Sequence, residues 1–509
     1  MLFTALFVIV VTFLVLRGWT TSSLRLPPGP RQVPLLGNVH QLPSMGHQRT
    51  FAEWGKRYGD VIYARLFQTP AIVVNSMAAA QELLDKRSAK YSHRPRFILL
   101  QELMGWDVMT HFSYGERWRR HRKWIAGAFQ DKDALLSYRP LQRRETYILL
   151  SGLMDTPQQF MGHIRRFTAA MIMEIAYGHC VESSNDKYIH LAERAASVTL
   201  ESGDAGAMLV DFFPTLRYLP LWCPGAGFKR KAFAARKVIQ ELLDTPYEMV
   251  KSAMMKGIAR PCFTASLLEE SIQEGTLRSD EHEIKGAAGL LYGAATDTTS
   301  AVLGTFMLAM VRCPDVYQKA RSEIDRVVGT ERFPDFDDRA SLPYLECVIW
   351  EVLRWNCPVP LALPHKTAVR DEYRGYEIPA NAMVIPNIWA MTHDIEAYSA
   401  PDAFRPERFM EMDAQTLASR DPRNVVFGFG RRACPGQDFA DSSVWLACAC
   451  IVATVDIRQT LDESGKCITP PAVFDDVFVS HPKRFSCDIR PRSQKAKSMV
   501  ADFITNHVT

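Results

Sequence analysis

Apolar and polar positions divide this chain into an uncharged start, a proline-rich strap and a long body in which helical periodicity dominates. From Met1 to Leu16 no residue is charged, and Leu, Val, Ile and Phe prevail. With Gly18 and Trp19 the run approaches the roughly 20 residues that a membrane-spanning helix needs. Residues 1–19 are therefore expected to form a transmembrane anchor. A cleaved signal peptide would start basic and end in small residues. Here no basic residue precedes Arg17, and Thr20-Thr21-Ser22-Ser23 makes a poor cleavage site. Arg17, Arg25 and Arg31 follow the apolar run and place the body in the cytosol by the positive-inside rule.

Leu26-Pro27-Pro28-Gly29-Pro30 ends the anchor. Prolines fix φ and favour stiff spacers. Residues 20–34 thus read either as an ordinary linker or as a rigid strap that sets the body's angle to the bilayer. Residues 35–492 contain no low-complexity break and no repeat, and read as one large domain. The polar tail, residues 493–509, is expected to fray.

Inside the body, short β-type runs occur at Val61-Ile62-Tyr63, at Ala71 to Asn75 and near Met383-Val384-Ile385. Two helical patterns stand out. One runs from about Asp280 to Arg312, with Asp280 and Glu283 at its start and Pro314 beyond its end; the other runs from about Pro343 to Trp355. Gly286 to Val311 carries a single charge, Asp297, and could pass for a second membrane span. The polar run Thr296-Asp297-Thr298-Thr299-Ser300 at its midpoint argues otherwise, because a carboxylate at mid-bilayer is costly. A helix apolar all round is also what the centre of a large domain looks like.

Composition removes some functions. Of 509 residues, 47% are hydrophobic and 23% charged, which suits a large core. The 60 basic and 56 acidic residues leave a charge of +4, too balanced to point to nucleic acid. The 11 cysteines are odd in number and include no C-x-x-C pair, which argues against a disulfide scaffold or a zinc ribbon. Reduced thiols facing the cytosol are the simplest reading.

The chemistry concentrates at residues 427–436, Phe-Gly-Phe-Gly-Arg-Arg-Ala-Cys-Pro-Gly. A lone cysteine is usually inert core material. Around Cys434, however, Gly428, Gly430 and Gly436 allow tight turns and close approach of a flat ligand. Arg431 and Arg432 supply cations near the sulfur, and a cationic loop before a helix start stabilises a thiolate. Gly428-x-Gly430-x-x-Ala433 also matches a dinucleotide fingerprint. Pro435 follows at once, though, and too little chain remains for such a domain.

Phe427-x-x-Gly430-x-Arg432-x-Cys434-x-Gly436 resembles the haem-ligand signature of cytochrome P450 enzymes. Other elements of that family's pattern appear in order: Trp118-x-x-x-Arg122, Ala294-Ala295-Thr296-Asp297-Thr298-Thr299, Glu351-Val352-Leu353-Arg354 and Pro406-Glu407-Arg408-Phe409. The resemblance covers Pro27 to about Arg490 and is greatest to microsomal fungal members. It implies a mainly α fold with small β-sheets, the cytochrome P450 fold, as a single haem domain behind the transmembrane helix. It implies haem b with Cys434 as thiolate ligand, an arrangement that favours O–O cleavage. Phe427 would pack against the ligand loop, and Gly436 would let the haem approach. Trp118, Arg122, His365 and Arg432 are the candidates for the haem propionates, His365 less firmly, since a lone histidine is more often structural. Glu351 and Arg354 share a helix face, and with Arg408 resemble the family's buried structural network.

Asp297 and Thr298 form the expected proton-delivery pair, at a distortion of the long helix. Against this stands the plain alternative that the hydroxyls bond back to their own helix. The family often has Gly where this chain has Ala295, which makes the distortion less assured. With no flavin or nicotinamide module beside the haem domain, electrons would come from a separate NADPH–cytochrome P450 reductase. Some of Arg117, Arg119, Arg120 and Lys123 would face outward to steer such a partner. The expected function is a monooxygenase inserting one atom of O2 into a small apolar metabolite, a terpenoid or other secondary metabolite, at the endoplasmic reticulum membrane. An O2-independent haem-thiolate isomerase or dehydratase, and a non-enzymatic haem sensor, are the alternatives. Phe212-Phe213-Pro214 and Tyr218 to Trp222, near Lys229-Arg230-Lys231, read equally as an interfacial patch or as core.

Overall fold

The computed structural model describes residues 25–183, 185–202 and 208–507. The anchor expected at residues 1–19 lies outside the described residues. The described chain groups into two compact units. One holds the chain up to Pro95, Leu361–Met391 and Phe429–Arg432; the other holds Arg96–Pro360, Thr392–Gly428 and the chain from Ala433 onward.

The first unit is built on a four-stranded sheet. Strands Val61–Leu66 and Thr69–Val74 form an antiparallel hairpin, Met383–Pro386 adds parallel to the second, and His365–Lys366 adds at the edge. The expected β runs thus become the three longest strands of this sheet. Ala71 to Val74 is buried at every position. That is why its sequence is a continuous apolar run and not an alternation. The described part of the proline-rich segment is not a free spacer. It is bonded to this unit, with the Tyr63 N–H donating to Pro28 O at 3.1 Å and the Glu377 N–H to Arg25 O at 2.8 Å.

The second unit is helical around the helix Leu277–Arg312, 36 residues long, or about 54 Å at 1.5 Å per residue. It starts one turn earlier than the sequence suggests. Among the described residues it is the one helix long and apolar enough to cross a membrane, yet 72% of its most apolar window is buried in protein. It is a core helix, as its polar midpoint predicts. Phe160–Tyr177, Pro314–Val327, Pro343–Trp355 and Gln437–Thr454 pack around it and share one core, in which Phe167, Phe306 and Trp445 are fully enclosed. The second expected helix, Pro343–Trp355, is found at its predicted bounds. All 11 cysteines are free.

The tail does not fray as expected. Gln494–His507 is a helix whose Ala496 and Val500 are buried, while Phe503 meets the Tyr147 ring edge-on at 4.5 Å. The spacing of these apolar residues makes a stripe on an otherwise polar helix. The segment around Trp222 is not core either: Trp222 is 82% and Tyr218 69% exposed. Lys229 ties it down by donating to Arg217 O at 2.7 Å and Leu219 O at 3.1 Å.

Candidate active site

The loop carrying Cys434 leaves the short helix Arg423–Val426 and reverses through Gly428 and Gly430, whose φ values of +77° and +51° suit glycine. At Gly430 space also forbids a side chain, since a Cβ would lie 2.3 Å from Leu84 O. The Cys434 N–H donates to Phe427 O at 2.7 Å and closes the turn. Phe427 is half-buried. Two residues past the cysteine, Gly436 caps the helix Gln437–Thr454, so the sulfur sits at the positive end of a helix.

Protein surrounds Cys434, yet its side chain keeps accessible surface. Burial pushes the thiol up; the Gly436 N–H and the Arg122 guanidinium pull it down, and Asp438 adds a smaller upward push. Burial wins. The downward pull of the Gly436 N–H and Arg122 does not offset it. The cation that acts on the sulfur is Arg122, whose Nη1 donates to Ala433 O at 2.5 Å. This corrects the expectation placed on Arg431 and Arg432. Arg431 is exposed, and Arg432 Nε donates to Ser92 O at 2.8 Å. Trp118, one turn before Arg122 in the helix Glu116–Phe129, is buried against Tyr114 at 5.1 Å.

Half-buried Arg432 bears electrostatically on two buried groups of the first unit, Arg94 and His365. Arg94 Nη1 donates to Leu363 O at 2.6 Å and Pro364 O at 2.9 Å. Nδ1 of His365 faces Tyr91 O at 2.8 Å. A carbonyl only accepts, so this nitrogen carries the ring proton. Burial first, then the facing Arg94, pushes His365 well below its usual range; burial and Arg432 do the same to Arg94. Sequence reasoning missed Arg94. Its signal was faint: an arginine before Pro95 in the basic run His93-Arg94-Pro95-Arg96, which reads as solvated.

Gly293, Ala294 and Asp297 are accessible although residues 286–292 before them and 299–311 after them are buried, so this part of the helix faces an open space. Trp106 lies beside it, 3.8 Å from where a Cβ of Gly293 would be, and its Nε1 donates to Thr199 Oγ1 at 3.0 Å. The helix runs through this region as unbroken α-helix, without the expected distortion. The methyl of Ala295 is where the family often has glycine. Thr298 Oγ1 donates to Ala294 O at 2.9 Å, the back-bond of an undistorted turn. Asp297 and Thr298 are adjacent, and the Asp297 carboxylate meets His481 Nε2 at 2.8 Å.

The Glu351 carboxylate accepts both Arg354 Nε and Nη2 at 2.8 Å, the Arg405 N–H at 2.8 Å and Arg408 Nε at 3.2 Å. All three side chains of this Glu-Arg-Arg network are buried, as expected. Of the four cations considered for a partner surface, Arg119 and Lys123 are exposed. Arg117 is instead held by Asp107 and Glu283, and Arg120 by Asp280.

A family model for cytochrome P450 matches residues 27–487. Cytochrome P450 monooxygenase 176 of Postia placenta is 46% identical over 97% of this chain and 96% of its own length. The chain belongs to the cytochrome P450 family. This P450 is also 40% identical to cytochrome P450 monooxygenase claR of Ampulloclitocybe clavipes, over 96% of the chain and 91% of that protein. To the tryptamine 4-monooxygenase of Psilocybe cyanescens it is 38% identical, over 94% of the chain and 95% of that protein. Membership makes it an oxidoreductase of a haem-thiolate family. Its residues fit a haem. A protein-enclosed thiol stands at a helix start beside Gly436, where an added Cβ would meet nothing within 4 Å. Arg94 and Arg432, two guanidinium groups that bear on each other electrostatically, are suited to the carboxylates that a haem brings.

Proposed function

We propose that this P450 is a monooxygenase that uses haem b, ligated by Cys434, to insert one atom of O2 into a small apolar metabolite. Electrons come from NADPH through a separate reductase. The observation that carries this reading is the Cys434 thiol between the Gly436 N–H and Arg122 at the start of a buried helix. The bound haem supplies the iron centre at which dioxygen is reduced. The chain's own residues do the rest. In the helical unit Arg122 and Trp118, and in the first unit Arg432 and Arg94, are the donors that would meet propionates; His365 would join them with Nε2 protonated. Phe427 braces the ligand turn through its carbonyl, and Gly436 leaves room for the macrocycle. Asp297 takes up and passes on a proton at its accessible carboxylate, and Thr298 orients a relay water once its hydroxyl leaves Ala294 O.

Substrate class follows from the open face at Gly293 and Ala294 beside the Trp106 ring, which suits a flat or apolar molecule. One relative is named for tryptamine, a small molecule with a flat aromatic ring system, and a fungal secondary metabolite of that size is the substrate class assigned. Residues 1–19 anchor the protein in the endoplasmic reticulum membrane, and the exposed Tyr218 and Trp222 beside basic residues rest on the same surface. Arg119 and Lys123 meet the reductase. The test is expression with a reductase. The ferrous carbonyl complex should show the strongly red-shifted band of a thiolate haem, and NADPH-driven product should require O2. Product formed equally without O2 would instead assign an isomerase or dehydratase. Haem binding with no NADPH-dependent O2 uptake would assign a sensor.

A further inference from the structure

Asp297 is bonded to a residue 184 positions away, His481, whose Nε2 is 2.8 Å from Asp297 Oδ1. A carboxylate oxygen that is ionised only accepts, so Nε2–H is the donor. The Asp297 side chain is 55% exposed and that of His481 24%. Left alone, a carboxylate this open on a helix face would exchange among rotamers.

His481 is aimed by the loop that carries it. The Ser480 N–H donates to Pro358 O at 2.8 Å, and Ser480 Oγ donates to Asn356 Oδ1 at 2.8 Å. Asn356 Nδ2 donates back to Ser480 O at 2.9 Å and to Thr305 Oγ1 at 3.0 Å. Thr305 lies on the same long helix as Asp297, about two turns further on. On the other side of His481, Pro482 packs on Gly304. A Cβ there would stand 3.2 Å from Pro482 Cγ and 3.1 Å from Met161 Cε, so a side chain would push the loop away. The Asp475 N–H donates to His481 O at 2.8 Å and fixes the backbone of the histidine itself. The loop is thus fastened to the long helix on both sides of the imidazole, and three buried polar groups, Thr305, Asn356 and Ser480, are devoted to it.

We propose that His481 is the positioning residue for Asp297, holding one carboxylate oxygen so that the other stays directed for proton delivery. This rests on the monooxygenase reading. With the carboxylate held, proton delivery keeps pace with electron delivery. With it loose, a larger share of reduced oxygen leaves as hydrogen peroxide.

The test uses holoenzyme with reductase, NADPH and O2, without organic substrate, and reads how the electrons divide between hydrogen peroxide and water. In His481→Ala the share ending in water should fall several-fold, and His481→Gln, which keeps an N–H donor, should restore most of it. Haem content and the reduced carbonyl spectrum should match wild type. His481→Phe, which fills the space without a donor, replaces the alanine variant if that one loses haem. Melting midpoints of His481→Ala, Asp297→Asn and the double variant should be non-additive, a readout of the contact that does not depend on turnover. An unchanged water share, or additive midpoints, overturns the proposal. Wild type that takes up no O2 with NADPH refutes the monooxygenase reading instead, while the midpoints still judge the contact.

Discussion

Arg122 donates to the carbonyl of Ala433 at 2.5 Å, so a residue of the Glu116–Phe129 helix grips the chain one position before Cys434. The contact joins the Trp118-x-x-x-Arg122 motif to the ligand loop and puts a positive charge on the sulfur side. Arg122→Ala should release the loop and remove that charge, at a cost of about 1.5–3 kcal/mol for a charge-assisted bond. Arg122→Lys should recover only part of it, because a guanidinium and an ammonium present different donors. Haem per protein in purified samples is the readout. A variant that retains full haem would take Arg122 out of the site.

Cys434→Ser should leave the fold recoverable, because a buried hydroxyl replaces a thiol of similar size. It should abolish the strongly red-shifted ferrous carbonyl band. The thiol's upward push by burial adds a second expectation: without haem, the cysteine should react slowly with a thiol reagent at neutral pH, since little thiolate is present. Rapid labelling of the apoprotein would contradict it.

What was legible in the sequence was what local rules encode. Pro343 opens its helix where a missing N–H costs nothing, and the helix ends at Trp355 as expected. The polar run at residues 296–300 separates a core helix from a membrane span. Cys434 and the Glu351–Arg354 pair are short-range motifs. Arg94 was not legible, because its meaning comes from His365, which a sheet edge carries to it from far along the chain. His481 was hidden for the same reason. The C-terminal helix was misread because Ala496, Val500 and Phe503 are few among polar neighbours, and their partner Tyr147 is remote. The undistorted turn at Thr298 accords with alanine at 295, a better helix former than glycine.

Glu351 serves two guanidinium groups and a backbone N–H with no exposure to water. Removing one partner leaves the others buried and unpaired. Glu351→Ala or Arg354→Ala should therefore cost about 3–5 kcal/mol and reduce the yield of haem-loaded protein, not only its turnover. Denaturant unfolding of whatever folds, compared with wild type, measures this. A loss below about 1 kcal/mol would be the value of a surface pair and would contradict the burial.

Glu283 ties the start of the long helix to the Glu116–Phe129 helix, accepting from His121 Nε2 at 2.6 Å and from Arg117 Nε at 2.8 Å. Burial raises its pKa, but these two partners outweigh burial and hold it at about 2, below the usual glutamate value of about 4.3. A depressed carboxylate stabilises the fold above its unfolded pKa, and that stability is lost as pH falls through the folded value. Wild type should exceed Glu283→Gln by about 2–3 kcal/mol above pH 5 or so, with allowance for partial screening. The gap should close as pH falls from about 4.5 towards 2. Unfolding measured across that range checks the sign; a gap that widens on acidification would mean that the contact is repulsive.

Thr298 tests the proton route most directly. Its hydroxyl donates to Ala294 O, and its neighbour Asp297 is held by His481. Thr298→Ala removes the hydroxyl and leaves the carboxylate, the thiol and the helix backbone in place. Alanine is also the better helix former, so stability should not fall. Haem content, reduction and substrate affinity should change little. If the hydroxyl orients the relay water, its loss delays proton delivery while electrons still arrive, and NADPH consumption continues as product falls and hydrogen peroxide rises. A tenfold loss of coupling corresponds to about 1.4 kcal/mol of barrier, well within what one positioned proton donor supplies. Equal coupling in variant and wild type would mean that the back-bond to Ala294 is the hydroxyl's whole role. The relay would then pass to Thr296, whose buried Oγ1 has no hydrogen-bond partner among the described residues, and Thr296→Val would become the variant that uncouples.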